Sequence, residues 1–385
     1  SQAKVVVATG RGVIKNFEPA ARGLYVDELE GGPSQLFFYR QDRRKPVAVP
    51  ILPISSVGGL HCWNEDDVLF ANSSFLKPNG WYEWRPGLKS PRPTALITSS
   101  PANFDDIEVV REFATSKDGT KVPLNIMRKK GLKLDGNNPT VLYGYGGYGI
   151  NLTPGFSATR RIWFDAGGVY VIANLRGGGE FGEEWHLAGN LTKKQNVFDD
   201  FIACAEYLIK RKYTRPAKLA VAGGSNGGLL MGAFLTQRPD LARAVVSRVG
   251  IYDMLRVELD PNGAFNVTEF GTVKNEDQFR AMYAYSPYHN VKDGVKYPAT
   301  LMLTGANDPR VDPMQSRKMI ARLQAANPGG TYLLRTSSNS GHGVGASLSE
   351  RVEQDVDRFA FLFHELGVTY KPVKYAARRP APFPC

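Results

Sequence analysis

With 385 residues, of which 42% are hydrophobic and 22% charged, the chain can bury a large core, which excludes a disordered charged polymer and favours one large domain with an appendage. No apolar run nears the ~18 residues needed to cross a bilayer, and the N-terminus lacks a charged stretch followed by an apolar one, so a soluble chain without a membrane partner, cytoplasmic or periplasmic, is expected. The net charge of +11 is spread along the chain, with short clusters only at 43–45 and 128–130, which speaks against a nucleic-acid partner.

From Ser1 to about Pro101, short alternating segments such as Leu36 to Tyr39 and Val68 to Phe70 are broken by Gly, Pro and Asn, predicting short antiparallel strands. Ile107 to Phe113, the turn Lys117-Asp118-Gly119-Thr120 and Val122 to Met127 read as a hairpin. Beyond Thr140 brief apolar runs alternate with amphipathic ones. Val141 to Tyr143, Val169 to Ala173, Leu219 to Ala222, Ala244 to Ser247 and Leu301 to Leu303 are predicted strands. Phe198, Ile202, Ala205 and Leu208 recur at helical spacing, as do Phe359, Phe363 and Leu366. Strands separated by helices imply a mostly parallel sheet covered on both faces. The expected division is an antiparallel β region over 1–101, an α/β catalytic domain over 102–370, and a basic Pro-rich tail over 371–385.

The strand Leu219 to Ala222 runs straight into Gly223-Gly224-Ser225-Asn226-Gly227-Gly228 and then the apolar stretch Leu229 to Leu235. This is a G-x-S-x-G nucleophile elbow in strand-turn-helix context, the mark of an α/β-hydrolase fold. A serine hydroxyl needs an adjacent base. Among the histidines, His61 lies in the β region, His186 and His289 border polar loops, and His364 is expected to pack in the last helix. That leaves His342, in a Gly-rich loop after the strand Tyr332 to Arg335. The orienting acid should end a strand between the two, and Asp308 after Leu301 to Thr304 does so, with Asp312 as a nearby competitor. The NH of Asn226 and the loop Gly144-Tyr145-Gly146-Gly147-Tyr148-Gly149, where Tyr145 carries a phenol, are candidate donors to an oxyanion.

That loop and Gly177 to Gly182 both satisfy G-x-G-x-x-G, but the first is followed by Asn151, Thr153 and Pro154 rather than a helix, and both read better as Gly-rich edges of a cleft than as a dinucleotide site. Cys62, Cys204 and Cys385 are too scattered for a disulfide framework or a zinc site. No metal and no organic cofactor is implied.

In combination these motifs, with Asn174-Leu175-Arg176-Gly177-Gly178-Gly179-Glu180-Phe181-Gly182 and Asp308-Pro309-Arg310-Val311, resemble the prolyl oligopeptidase family of serine peptidases from about Asp105 to Leu366. The resemblance implies that Tyr145 completes the oxyanion hole and that Arg310 holds a substrate backbone carbonyl. It also implies that residues 1 to about 101 correspond to two blades of a β-propeller, too few to close a ring over the active site. Family members selective for proline stack its ring on a tryptophan, whose place here is taken by Asn266, beside Phe265. Tyr148, Phe265, Phe270 and Val311 are expected to build an apolar S1 pocket with Asn266, and Glu269 has no second carboxylate to make a basic-residue site. The expected function is a serine peptidase cleaving short peptides through an acyl-enzyme, including after proline. The alternatives are a carboxylesterase acting on small acyl esters and a non-catalytic scaffold.

Overall fold

The computed structural model describes residues 5–8, 10, 12–42, 45–343 and 345–371, so the proposed tail, from residue 372 on, lies outside the described residues. The N-terminal part forms two four-stranded antiparallel sheets. The first holds β1 (Val13–Ala20), β2 (Gly23–Leu29), β3 (Ser34–Arg40) and β4 (Val47–Val49). The second holds β5 (Ser55–Asn64), β6 (Asp67–Ser74), β7 (Gly80–Trp84) and β8 (Arg92–Ile97). Alternation puts Tyr25, Phe38, Val57, Phe70 and Trp84 in one apolar cluster shared by the two sheets.

The eight-stranded sheet that follows contains β9 (Ile107–Thr115), β10 (Lys121–Lys129), β11 (Thr140–Tyr143), β12 (Val169–Ala173), β13 (Leu219–Gly224), β14 (Ala244–Arg248), β15 (Ala299–Gly305) and β16 (Tyr332–Ser337). Its order is β16-β15-β14-β13-β11-β12-β10-β9. The hairpin β9–β10 and the pairing of β10 with β12 are antiparallel, and β11 to β16 run parallel. This is the mostly parallel sheet expected, and its central strands are buried on both faces, which explains why they read as continuous apolar runs.

Helices α1 (Arg160–Asp165), α2 (Glu183–Leu187), α3 (Gln195–Lys210), α4 (Asn226–Gln237), α5 (Gly263–Phe270), α6 (Glu276–Tyr285), α7 (Pro287–Asn290), α8 (Met314–Ala326) and α9 (Leu348–Glu365) connect and cover the strands. On one face α3, α4 and α8 pack a core that includes Phe201, Leu230, Phe234 and Leu323. On the other, α1 and α9 bury Trp163, Phe164, Phe359 and Leu362 against Val141, Val246 and Leu301. Helix α4 is apolar all round because it lies between the sheet and its neighbours α3 and α7. Helix α9 is N-capped by Ser347, whose side chain accepts from the NH of Glu350. His364 is exposed rather than packed, because the phase of α9 turns Phe361, Leu362 and Glu365 inward.

Short polar staples join the antiparallel sheets to the larger one. The Arg111 guanidinium donates to the carbonyls of Glu30 (2.7 Å) and Gly31 (3.0 Å), and the Ser56 hydroxyl donates to the Pro154 carbonyl at 2.7 Å.

Candidate active site

In a parallel sheet every strand delivers its following loop to the same edge, and the residues that follow β11, β13, β15 and β16 meet there. Ser225 follows β13 with φ 58° and ψ −120°, a left-handed conformation rare for any residue with a side chain. The turn closes only because its flanks are glycines: a Cβ on Gly223 would lie 2.3 Å from the Gly227 carbonyl oxygen, and one on Gly227 would lie 2.7 Å from that of Gly144.

The Ser225 Oγ lies 2.9 Å from His342 Nε2, and His342 Nδ1 lies 2.7 Å from Asp308 Oδ2. With Nδ1–H donating to the carboxylate, Nε2 is left to accept from the serine hydroxyl. The second oxygen of Asp308 accepts from the NH groups of Arg310 (2.9 Å) and Val311 (3.0 Å). Asp312, the competitor, instead accepts from the NH of Met314 at the start of α8. Burial pushes the Asp308 carboxyl up, yet the hydrogen bonds from His342 and from the Val311 and Arg310 amides outweigh it and hold the group below its ordinary 3.8. A depressed carboxylate stabilises the folded state fully above its unfolded value, and that contribution is lost as pH falls through the lower native value. Unfolding measured between pH 5 and 2.5 should therefore show wild type losing stability more steeply than Asp308→Asn below about pH 4; parallel curves would refute the linkage.

Tyr145, in the loop after β11, presents its phenol beside Ser225, and burial raises its pKa, so it stays a neutral donor near pH 7. The Asn226 NH, the first of α4, is bonded to no acceptor among the described residues, while its side-chain amide donates to the Tyr145 carbonyl at 2.6 Å. A phenol and a helix-terminal amide thus flank the serine, where negative charge on a reacting carbonyl oxygen would be stabilised.

Beside this group lies an aromatic wall. Tyr148 stacks on Phe265 (5.8 Å between centroids, 11°), meets Phe270 edge-on at 5.7 Å, and donates its hydroxyl to Asn266 Oδ1 at 2.7 Å. Asn266 and Val311 are buried, Phe265 is 64% exposed, and Arg310 is exposed on the loop after β15.

Sequence reasoning missed the support beneath this wall. Glu269, weighed as a pocket carboxylate, is not available as one: Lys194 donates to one oxygen at 2.7 Å, and His186 Nε2 lies 2.9 Å from the other. Lys194 is buried and also donates to the Gly146 carbonyl, at 3.0 Å, inside the Tyr145 loop. These partners lie 48 to 83 residues apart, so no local spacing announces them. The second Gly-rich run, unlike the first, does precede a helix, since Gly182 caps α2. Glu183 and Glu184 in the first turn of that helix would oppose a phosphate.

Residues 154–369, just over half of the chain, match the profile described as the prolyl oligopeptidase family. The chain belongs to the prolyl oligopeptidase family. It is 42% identical over 311 residues to the prolyl endopeptidase of Elizabethkingia meningoseptica, covering 79% of this chain and 43% of that protein. A prolyl endopeptidase of known structure superposes with a TM-score of 0.88 at 41% identity, over 94% of this chain and 54% of its own. A post-proline cleaving enzyme from Rickettsia typhi does so with a TM-score of 0.83 at 32% identity, over 94% and 52%. The chain spans about two-fifths of the length of the curated relatives it matches. Its fold is that of an α/β-hydrolase preceded by an antiparallel β region. Among the described residues no helix is long and apolar enough to cross a membrane.

Proposed function

We propose that the chain is a serine peptidase acting on short peptides, including after proline. The observation that carries this reading is the continuous hydrogen-bonded series Ser225–His342–Asp308, seated on a left-handed serine at the carboxyl edge of a parallel sheet. His342 Nε2 takes the proton of Ser225 as its Oγ attacks the scissile carbonyl carbon. Asp308 holds Nδ1–H and stabilises the imidazolium, and His342 then returns the proton to the leaving amine. The acyl-enzyme ester is cleaved by water through the same groups in reverse. Tyr145 and the Asn226 NH receive the oxyanion, and Arg310 receives a substrate carbonyl.

In the S1 pocket Tyr148, Phe265, Phe270 and Val311 supply apolar walls, and Asn266 stands where a tryptophan would stack on proline. Because the Asn266 oxygen is occupied by the Tyr148 hydroxyl and both oxygens of Glu269 are engaged, the pocket offers no free carboxylate from these residues to a basic side chain. Residues 1–101 are read as two propeller blades and 102–370 as the catalytic domain. The relatives named above favour the peptidase reading over a carboxylesterase.

Steady-state kinetics on three peptide amides differing only in Pro, Ala or Arg at the cleavage site, and on a short aryl ester, test this. The expected result is turnover of the Pro and Ala peptides at comparable kcat/KM. A preference of about tenfold or more for Arg, worth roughly 1.4 kcal/mol in the transition state, would overturn the apolar pocket. Turnover of the ester alone would overturn the peptidase assignment.

A further inference from the structure

Behind the nucleophile, between the sheet and α9, two adjoining cavities of about 350 and 250 Å³ share Tyr170, Arg248 and Arg358 in their walls. Ser225 and His342 bound the first, and Arg160 lines the second. Among the described residues, Asp355 is the one carboxylate lining either cavity, against the three guanidiniums. It pairs with Arg358 at 2.8 Å. Arg248 makes no ion pair among the described residues and donates only to the neutral amide oxygen of Gln354, at 2.9 Å. Arg160 donates to the Gly155 carbonyl at 2.7 Å and lies over the Tyr170 ring at 5.2 Å. The Arg358 Nε is buried without an acceptor.

Guanidinium groups stay charged in proteins, so this arrangement is a standing excess of positive charge in a poorly solvated space, costly unless a negative group answers it. Burial works against the charged form of both Arg160 and Arg248, and the charge of Arg358 adds to it. The phenols of Tyr143 and Tyr170, both cavity-lining, are bonded to no partner among the described residues and can donate. Planar forks and phenols converging on one space are the donor set of a carboxylate or phosphate group.

We infer that the chamber lined by Arg160, Arg248 and Arg358 binds an oxyanion group, carboxylate or phosphate, beside Ser225. That group has two possible sources, a free anion or the terminal carboxylate of a peptide. Nothing in the residue pattern of the catalytic series requires such a site, because Arg248 takes no part in it.

Inorganic phosphate is the probe. Thermal unfolding is followed at constant ionic strength as chloride is exchanged for phosphate, in wild type, Arg248→Gln, Arg358→Gln and Arg248→Lys. A variant of the exposed Arg280, Arg280→Gln, serves as a charge control. The midpoint of wild type should rise and saturate as expected for a ligand that binds only the folded state. Affinity should fall about tenfold or more in either Gln variant, partly recover in Arg248→Lys, and stay unchanged in Arg280→Gln. A wild type that phosphate does not stabilise overturns the proposal, and this arm needs no variant to fold. Equal stabilisation of wild type and both Gln variants also overturns it, because the anion then binds elsewhere. Peptides matched except for a free or amidated C-terminus identify the source. Displacement of phosphate by the free acid alone assigns the site to substrate, and displacement by neither assigns it to a free anion. The phosphate arm does not depend on peptidase activity, so its failure is distinguishable from failure of the peptidase reading.

Discussion

Ser225→Ala is expected to lower kcat on any peptide substrate by about 10⁴ to 10⁶, leaving only the residual rate due to the oxyanion donors and to binding. The loss is that large because, in the proposed mechanism, the hydroxyl at 2.9 Å from His342 Nε2 is the atom that forms the acyl-enzyme, and His342 and Asp308 act through it. Substrate KM should change little, since the methyl group fits wherever the hydroxymethyl did. Tyr145→Phe removes one donor and should cost less, about 10² to 10³ in kcat. A fluorophosphonate that labels wild type stoichiometrically should leave Ser225→Ala unlabelled. Labelling of the variant, or kcat within an order of magnitude of wild type, would remove Ser225 from the role assigned to it.

Lys194→Met should destabilise the fold by about 3–5 kcal/mol, because it strands the Glu269 carboxylate in a buried site beside aromatic rings. The side chains of Lys194 and Glu269 are 1% and 2% exposed, so solvent screening offers little relief. Burial presses Lys194 toward its neutral form and lowers its pKa, while the charge of Glu269 opposes the shift; the pair survives by satisfying each partner. The double variant Lys194→Met/Glu269→Gln, which leaves no unpaired charge, should recover more than half of the loss. Thermal unfolding separates the cases, with the single variant lower by on the order of 10 °C. Because Lys194 also anchors Gly146, kcat of the single variant should fall more than its KM rises. A single variant as stable as wild type would mean that the Glu269 site takes in water freely.

The two strongest predictions differ in how much of their basis was visible before the structure. Ser225 and Asp308 were legible because each follows a short apolar run that a parallel sheet buries, and His342 because it lies in a Gly-rich loop after the next strand, so the chain order of strands and loops alone suggests that they share one edge. The strands of the larger sheet were legible for the same reason, and their observed boundaries extend the expected ones by at most two residues at either end, as in Leu219–Gly224 and Ala299–Gly305. Helices α5 to α8 were not read. α5 is eight residues long and opens with glycine, and α6 and α8 carry many charges on their exposed faces, so their apolar periodicity is thin. The Lys194–Glu269–His186 group and the arginines of the chamber were illegible for another reason: their meaning lies in which distant charges they meet, and only the folded chain decides that. Arg248 reads as the polar end of a strand until the cavity beside it is seen.

Tyr145 and Asn226 follow two neighbouring parallel strands, β11 and β13, which are in register with Tyr143 opposite Ala222. The two strand ends from which the proposed oxyanion donors are presented therefore lie one sheet repeat apart, about 4.8 Å, and the short loop and elbow beyond them carry the donors the rest of the way. The 2.6 Å bond from the Asn226 amide to the Tyr145 carbonyl fixes the remaining freedom. The sheet thus holds the base of both loops rigidly. Other loops at this edge can lengthen, shorten or change sequence without moving the two strand ends from which both proposed donors start.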